Sequence, residues 1–353
     1  MSRPDCPITR RAAAWGLVAA PTAGGGLATC GAGRPKGDRV LSGGGAWLNT
    51  RPLGPADLRG KVVLVNFWTY TCINSLRPLP FLGTWADRYR DRGLRVIGVH
   101  TPEFAFEHDP VNVRQALVDL GVRYPVVLDN DFRVWRAFNN EAWPGFYFTD
   151  AQGRVRHRRL GEGGYDQSER VIQQLLTADI GQGVMDAIEP VAGRGAQAAP
   201  DWDDLGSPET YVGYAKALRF ASLDGPRRDR SASYQTPAQL ALNGWGLSGE
   251  WMVGSEFAAL TGEAGRIAFR FHARDLHLVM TPPPGGQAVR FRVQIDGADP
   301  GADHGFDIDP AGRGELREPR LHQLVRQAGP VRDRVFEIAF QGPGPRAYCF
   351  TFG

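Results

Sequence analysis

Apolar positions fall into two textures along the chain. Up to about residue 176, continuous apolar runs alternate with helical stretches. Residues 61–67 (Lys-Val-Val-Leu-Val-Asn-Phe) and 94–100 (Leu-Arg-Val-Ile-Gly-Val-His) are β-branched runs with few polar breaks, as expected of strands buried on both faces. Residues 126–128 form a shorter run of the same kind. The stretch 72–92 is long enough for a helix, which Pro78 and Pro80 must kink. Residues 110–120 predict a helix entered through Asp109-Pro110 and closed at Gly121. A short helix at 132–138, a hairpin of 145–149 and 154–160 around Asp150-Ala151-Gln152-Gly153, and a closing helix at 167–176 complete the series. The order β-α-β-α-β-α-β-β-α predicts a central sheet covered by helices.

From 177 to 208 glycine, alanine, proline and aspartate dominate without a sustained period, which reads as a linker with one helical turn around 184–188. From about Tyr211 the apolar period becomes two. Strands are expected at 266–272, 276–280, 289–295, 321–326, 335–340 and 347–352, with Pro-Gly turns at 282–286 and 342–345. Many short strands without intervening helices predict a jelly-roll-type β-sandwich. The chain thus divides into a leader and tether (1–36), an α/β domain (44–178), a linker (179–208) and an all-β domain (209–353).

A length of 353 residues suits two domains, and 42% hydrophobic residues suffice for two cores. The net charge of +3, with arginines interleaved with acids, carries no nucleic-acid footprint. At the N-terminus, Thr9-Arg10-Arg11 precedes an apolar stretch at 12–28 that is too short to span a bilayer. This is the pattern of a twin-arginine export signal. Leu27-Ala28-Thr29-Cys30 resembles a lipoprotein processing site with Thr29 in place of the usual smaller residue, which makes Cys30 the lipidation candidate. Export to the periplasm or cell envelope is the expectation, with Cys30 as the candidate for a lipid anchor.

Four cysteines, at positions 6, 30, 72 and 349, make no zinc-type spacing, and the seven histidines show none either. No metal or cofactor is expected. Asp307-Ile308-Asp309-Pro310-Ala311-Gly312 partly resembles a calcium loop, but Pro310 and Ala311 break it and favour a hairpin turn. Cys72 stands directly after a strand, where a helix begins. Free helix N–H groups there favour a thiolate, the nucleophile of thiol–disulfide exchange. A second thiol three residues on would resolve a mixed disulfide, and that position holds Ser75. A hydroxyl can orient the thiolate but cannot replace a sulfur, so the site reads as monothiol. The alternative is an inert Cys72 on a scaffold. Cys349, alternating with Tyr348 and Phe350, reads as a small buried residue, with a distant resolving thiol as the other possibility.

Val65-Asn66-Phe67-Trp68 followed by Cys72 and a kinked helix is similar to the thioredoxin superfamily, in its exported TlpA-like branch. The resemblance implies a thioredoxin fold. Trp143-Pro144-Gly145-Phe146 resembles the loop with that family's cis-proline, which implies that Pro144 faces Cys72 and that backbone there pairs with substrate chains. Glu103 resembles the active-site acid of TlpA-like proteins, and Asn66 stands where thioredoxins bury a carboxylate. Trp68 and Trp143 are expected to flank the site and touch substrate, with simple core packing as the other reading of either. Trp47-Leu48-Asn49, His100-Thr101-Pro102-Glu103-Phe104, Gly206-Ser207-Pro208-Glu209-Thr210-Tyr211 and Phe350-Thr351-Phe352-Gly353 resemble the C-terminal periplasmic region of DipZ-type proteins. That family joins a thioredoxin-like domain to a carbohydrate-binding-like β-sandwich.

The resemblance implies thiol and disulfide partners in the cell envelope, proteins or small molecules. It also makes a glycan a candidate ligand of the sandwich. Trp245, Trp251 and Tyr211 could form a stacking platform for sugar, but aromatics in a small sandwich more often fill its core. The expected function is exported, monothiol thiol–disulfide exchange, targeted by the sandwich. The alternative is a redox-inactive binding protein whose sandwich takes a glycan or a protein partner.

Overall fold

Continuous apolar runs become the centre of a six-stranded sheet. The computed structural model describes residues 41–180, 186–223 and 225–353. The export segment, Cys30 and the first part of the helical turn expected at 184–188 lie outside the described residues. The N-terminal part comprises β1 (Trp47–Leu48), α1 (Pro55–Leu58), β2 (Val62–Trp68), α2 (Ile73–Leu76), α3 (Leu79–Arg88), β3 (Leu94–His100), α4 (Pro110–Asp119), β4 (Val126–Leu128), α5 (Arg133–Ala137), β5 (Gly145–Thr149), β6 (Val155–Leu160) and α6 (Tyr165–Ile180). Strand order is β1-β4-β3-β2-β5-β6. β2 runs parallel to β3, and β3 to β4, while β5 and β6 add antiparallel at one edge. This is the expected α/β architecture.

Every residue of β2 is buried, and its alternation feeds two cores. Leu64 and Trp68 pack on one side with Leu82, Trp85 and Val96. Val63, Val65 and Phe67 pack on the other with Ile97, Val99 and Tyr147. Asp109 caps α4 by accepting the Val111 N–H at 2.8 Å. The single kinked helix expected at 72–92 is instead two helices. Arg77 ends α2 and Pro78 begins α3, because proline lacks the N–H that would carry the first helix through.

The named strands of the second part pair antiparallel: β7 (Thr210–Tyr211), β8 (Ser231–Tyr234), β9 (Trp245–Val253), β10 (Ala258–His272), β11 (Asp275–Thr281), β12 (Val289–Ile295), β13 (Arg313–Leu316), β14 (Arg320–Arg326), β15 (Asp333–Gln341) and β16 (Arg346–Phe352). Its order is β13-β12-β15-β10-β16-β11-β14, with β7 on β16, β9 on β10 and β8 on β9. β10 is 15 residues long. It pairs with β15 from Ala264 to His272 and with β16 at Ala258 and Ala259, so the sheet curls around it. This curled all-β sheet is consistent with the expected sandwich.

Trp245 and Trp251 are fully buried in its core with Phe269, Phe336 and Phe350, which is the core packing favoured for sandwich aromatics and rules out a sugar-stacking platform. Tyr211, the third aromatic of that platform, faces the N-terminal part. The linker is also less free than expected. Arg88 donates to Ala187 O at 3.0 Å and Gln173 to Asp186 O at 3.0 Å, which ties it along α3 and α6.

Candidate functional site

Beyond β2 the chain turns through Thr69-Tyr70-Thr71 and reaches Cys72, the N-cap of α2. The Cys72 carbonyl accepts the Ser75 N–H at 2.9 Å and the Leu76 N–H at 3.1 Å, so the cysteine opens the helix as expected. The expected thiolate is not met. Cys72 is only 9% exposed. Burial first, then the charges of Glu209 and Glu103, push its thiol well above the ordinary value, while the Ser75 hydroxyl and N–H pull the other way. An α2 of one turn offers too little dipole to reverse that balance. Ser75 is buried beside the sulfur, and its Oγ has no partner at hydrogen-bond geometry.

The peptide bond Trp143-Pro144 is cis, as the resemblance implied. The Pro144 carbonyl accepts the Gly161 N–H at 2.8 Å. Half-buried Trp143 donates its indole N–H to Thr101 O at 3.0 Å, and the Thr101 N–H donates to Trp68 O at 3.0 Å. The proline loop is thereby joined to the loop that carries Glu103. Trp68 itself is a correction. It is fully buried in the core, with its ring edge-on to His100 at 5.6 Å, and has no surface to offer a substrate. Asn66 is buried too, its amide donating to Phe67 O at 3.4 Å and Gly145 O at 3.5 Å.

Glu103 turns toward the second sheet. Its Oε1 accepts the Tyr211 hydroxyl and lies 3.2 Å from Lys216 Nζ, and only 9% of its side chain is exposed. The Lys216 ammonium sits 4.2 Å from the centroid of the Tyr211 ring. The Tyr211 hydroxyl also lies 3.1 Å from Glu209 Oε2. Around this cluster, Tyr348 packs against Phe104 and Phe106 at centroid distances of 5.1 and 4.8 Å. The Ala105 N–H donates to Glu256 at 3.1 Å. The second sheet therefore lies over the mouth of the Cys72 site.

Sequence reasoning missed Glu209 and Glu107. Part of the Glu209 side chain reaches solvent, yet its carboxyl is raised by the protein packed around it and by Glu103. Glu209→Gln removes a negative charge beside Cys72 and should lower the thiol pKa. Iodoacetamide labelling of Cys72 at neutral pH should then accelerate roughly fivefold. An unchanged rate would show that Glu209 does not bear on the sulfur.

Glu107 is fully buried below the site. Its Oε1 accepts the Thr71 hydroxyl, and its Oε2 accepts the N–H groups of Glu103 and, at 3.0 Å, Phe104. Spacing could have signalled it as the glutamate of a capping box, but Phe104 replaces the usual Ser or Thr and hides the pattern. Burial first raises its carboxyl to about 7 from 4.5, against the pull of Thr71 and Phe104. Native Glu107 thus holds a proton that the unfolded chain releases between pH 4.5 and 7. Its contribution to stability is full below that window and lost as pH rises through it. The loss is on the order of 3 kcal/mol. Urea midpoints at pH 5 and 7.5 should show this slope, and Glu107→Gln should lack that part of it. Among the described residues, no group of three or more His, Cys, Asp or Glu is placed to hold a metal.

Two family models match the chain, AhpC/TSA family over residues 48–158 and Thioredoxin like C-terminal domain over residues 207–353. Protein DipZ of Mycobacterium tuberculosis is 39% identical over 319 residues, covering 89% of this chain and 42% of that protein. The chain thus spans about two fifths of the length of the DipZ relatives it matches. Thiol-disulfide oxidoreductase YkuV of Bacillus subtilis is 29% identical over 136 residues, covering 38% of this chain and 91% of that protein. A solution structure of a thioredoxin-like protein in the oxidized form shares 29% identity and covers 38% of this chain and 89% of that one, with a TM-score of 0.35.

Proposed function

The N-terminal part of this chain is thioredoxin-like and 89% of the chain is similar to DipZ, and from this premise we infer that the protein performs thiol–disulfide exchange through Cys72 by a monothiol route. The observation that carries the inference is the placement of Cys72 as the N-cap of α2, one short turn beyond β2, with buried Ser75 in the helix it opens. Cys72 attacks a substrate disulfide, forms a bond to one substrate sulfur and releases the other as a thiol. Ser75 orients the attacking sulfur, and Glu103 moves the proton. Pro144 and Trp143 hold the substrate backbone. The mixed disulfide that results needs another thiol to resolve it, because Ser75 has no sulfur.

The substrates are thiols and disulfides of proteins or small molecules in the cell envelope. Arg10-Arg11 and the apolar stretch behind them support export, and Cys30 supports a lipid anchor. No helix among the described residues is long and apolar enough to cross a membrane. The second sheet, with Trp245 and Trp251 spent on its own core and Tyr211 and Tyr348 turned to the N-terminal part, serves as a cover and a protein-docking element.

Incubation with glutathione disulfide tests the reading. Release of glutathione should depend on Cys72 and vanish in Cys72→Ala. The burial of Cys72 under the second sheet favours a competing role as a redox-silent binding protein, and no release from the unaltered protein would decide for it.

A further inference from the structure

β16 carries an irregularity with a chemical consequence. Opposite β11, Val279 pairs with Cys349 but its neighbour Met280 pairs with Ala347, so Tyr348 is an extra residue, a β-bulge. A bulge turns two successive side chains to one face. Ala347, Phe350 and Phe352 point into the core of the second sheet, whereas Tyr348 and Cys349 both join the core of the N-terminal part, with Ile73 and Leu76 of α2. Simple alternation from Ala347 would have returned Cys349 to the sandwich interior. The bulge brings its thiol out toward the helix that Cys72 caps.

Lengths along the two elements agree with this placement. The Arg77 guanidinium donates to Phe352 O at 3.2 Å, which pins the end of β16 to the end of α2. Five helical residues lead back from Arg77 to Cys72, roughly 7.5 Å. Three strand residues lead back from Phe352 to Cys349, about 10 Å. Nearer the helix start, the Tyr211–Glu103 hydrogen bond fixes β7, and Tyr211 pairs directly with Cys349. Both sulfurs feel Glu209 and Glu103, and the charge of Cys72 bears on Cys349.

We propose that Cys349 is the resolving cysteine for Cys72, supplied by the second sheet in place of the thiol that Ser75 lacks. The proposal rests on the exchange reading above. Cys72, at 9% exposure, meets the substrate before Cys349, at 2%. Cys72 sulfur bonds to one substrate sulfur and the other leaves as a thiol. Cys349 sulfur then attacks the Cys72 sulfur, the mixed disulfide breaks, and the second substrate sulfur leaves as a thiol. Two protein thiols are oxidised to one disulfide, the substrate disulfide is reduced to two thiols, and the two protein protons end on those products. The acids Glu103 and Glu209, beside both sulfurs, relay them.

The test treats the full chain with glutathione disulfide under native conditions, blocks free thiols and maps the digest by mass spectrometry. The expected result is a peptide pair linked through Cys72 and Cys349, with little glutathione retained. Cys349→Ala should retain glutathione on Cys72 at least tenfold more. Equal retention on Cys72 in both proteins, with no linked pair, overturns the resolving role while leaving monothiol exchange standing. Neither adduct nor link in either protein removes the exchange reading and this proposal with it. Should Cys349→Ala fold poorly, Cys349→Ser provides the same comparison, and the linked pair in the unaltered protein needs no variant.

Discussion

Trp68→Ala should lower folding stability by about 3–5 kcal/mol and leave substrate affinity unchanged at temperatures where the variant is folded. The indole fills the core between α3 and the sheet, fully buried with Leu64, Leu82, Trp85 and Val96. Its Nε1 has no protein partner, so the loss comes from packing and the cavity, with no hydrogen bond to subtract. Space for the ring depends on Gly98 in β3, where an added Cβ would sit 2.9 Å from the indole nitrogen. Gly98→Ala should therefore destabilise through the same contact. Urea denaturation reads the stability and the concentration dependence of thiol release reads the affinity. A raised KM with an unmoved urea midpoint would restore Trp68 to the substrate surface and contradict its burial.

Trp68 also shows where sequence reasoning stops. The run Val62–Trp68 announces a strand buried on both faces, and both faces are filled. The same pattern cannot say whether a tryptophan at the strand's end turns inward or outward, because that depends on Gly98 of a neighbouring strand. β3 was legible because only Arg95 and Gly98 break its apolar run, and β4 because nothing breaks its three residues. β9 was not, because glycines break its apolar pattern. Gly249 there has φ 104° and passes so close to β10 that a Cβ would meet Ala264 O at 2.7 Å, a requirement invisible until both strands are in place. The helix start at Cys72 and the cis bond before Pro144 followed from local motifs. The protonation of Cys72 did not, because Glu209 and the sheet that buries it lie more than a hundred residues away. Cys349 was legible as a buried strand residue but not as a neighbour of Cys72, since a bulge reverses the face that alternation assigns.

Arg77→Ala should cost about 3–5 kcal/mol and uncover Cys72 at the same time. The Arg77 side chain is 3% exposed, and its guanidinium lies 2.8 Å from a Glu162 carboxylate that is itself 7% exposed. Removing the cation strands that carboxylate in a buried site and releases the Phe352 carbonyl. Burial already raises the Glu162 carboxyl, and Arg77 is what pulls it back. Without Arg77 it rises further, so the carboxyl takes up a proton more readily as pH falls. The variant's deficit is then largest at high pH, where an unpaired charge is buried, and smaller as pH falls and the carboxyl is neutralised. Urea midpoints measured from pH 5 to 8 should diverge from those of the unaltered protein toward the alkaline end. Because Arg77 pins the end of β16 to α2, its loss also loosens the strand that covers the thiol. Alkylation of Cys72 should accelerate at least tenfold in the native variant. A stability loss without faster alkylation would mean that β16 stays seated through Phe104, Phe106 and Tyr348 alone, and that the cover over Cys72 is held by its aromatic contacts rather than by Arg77.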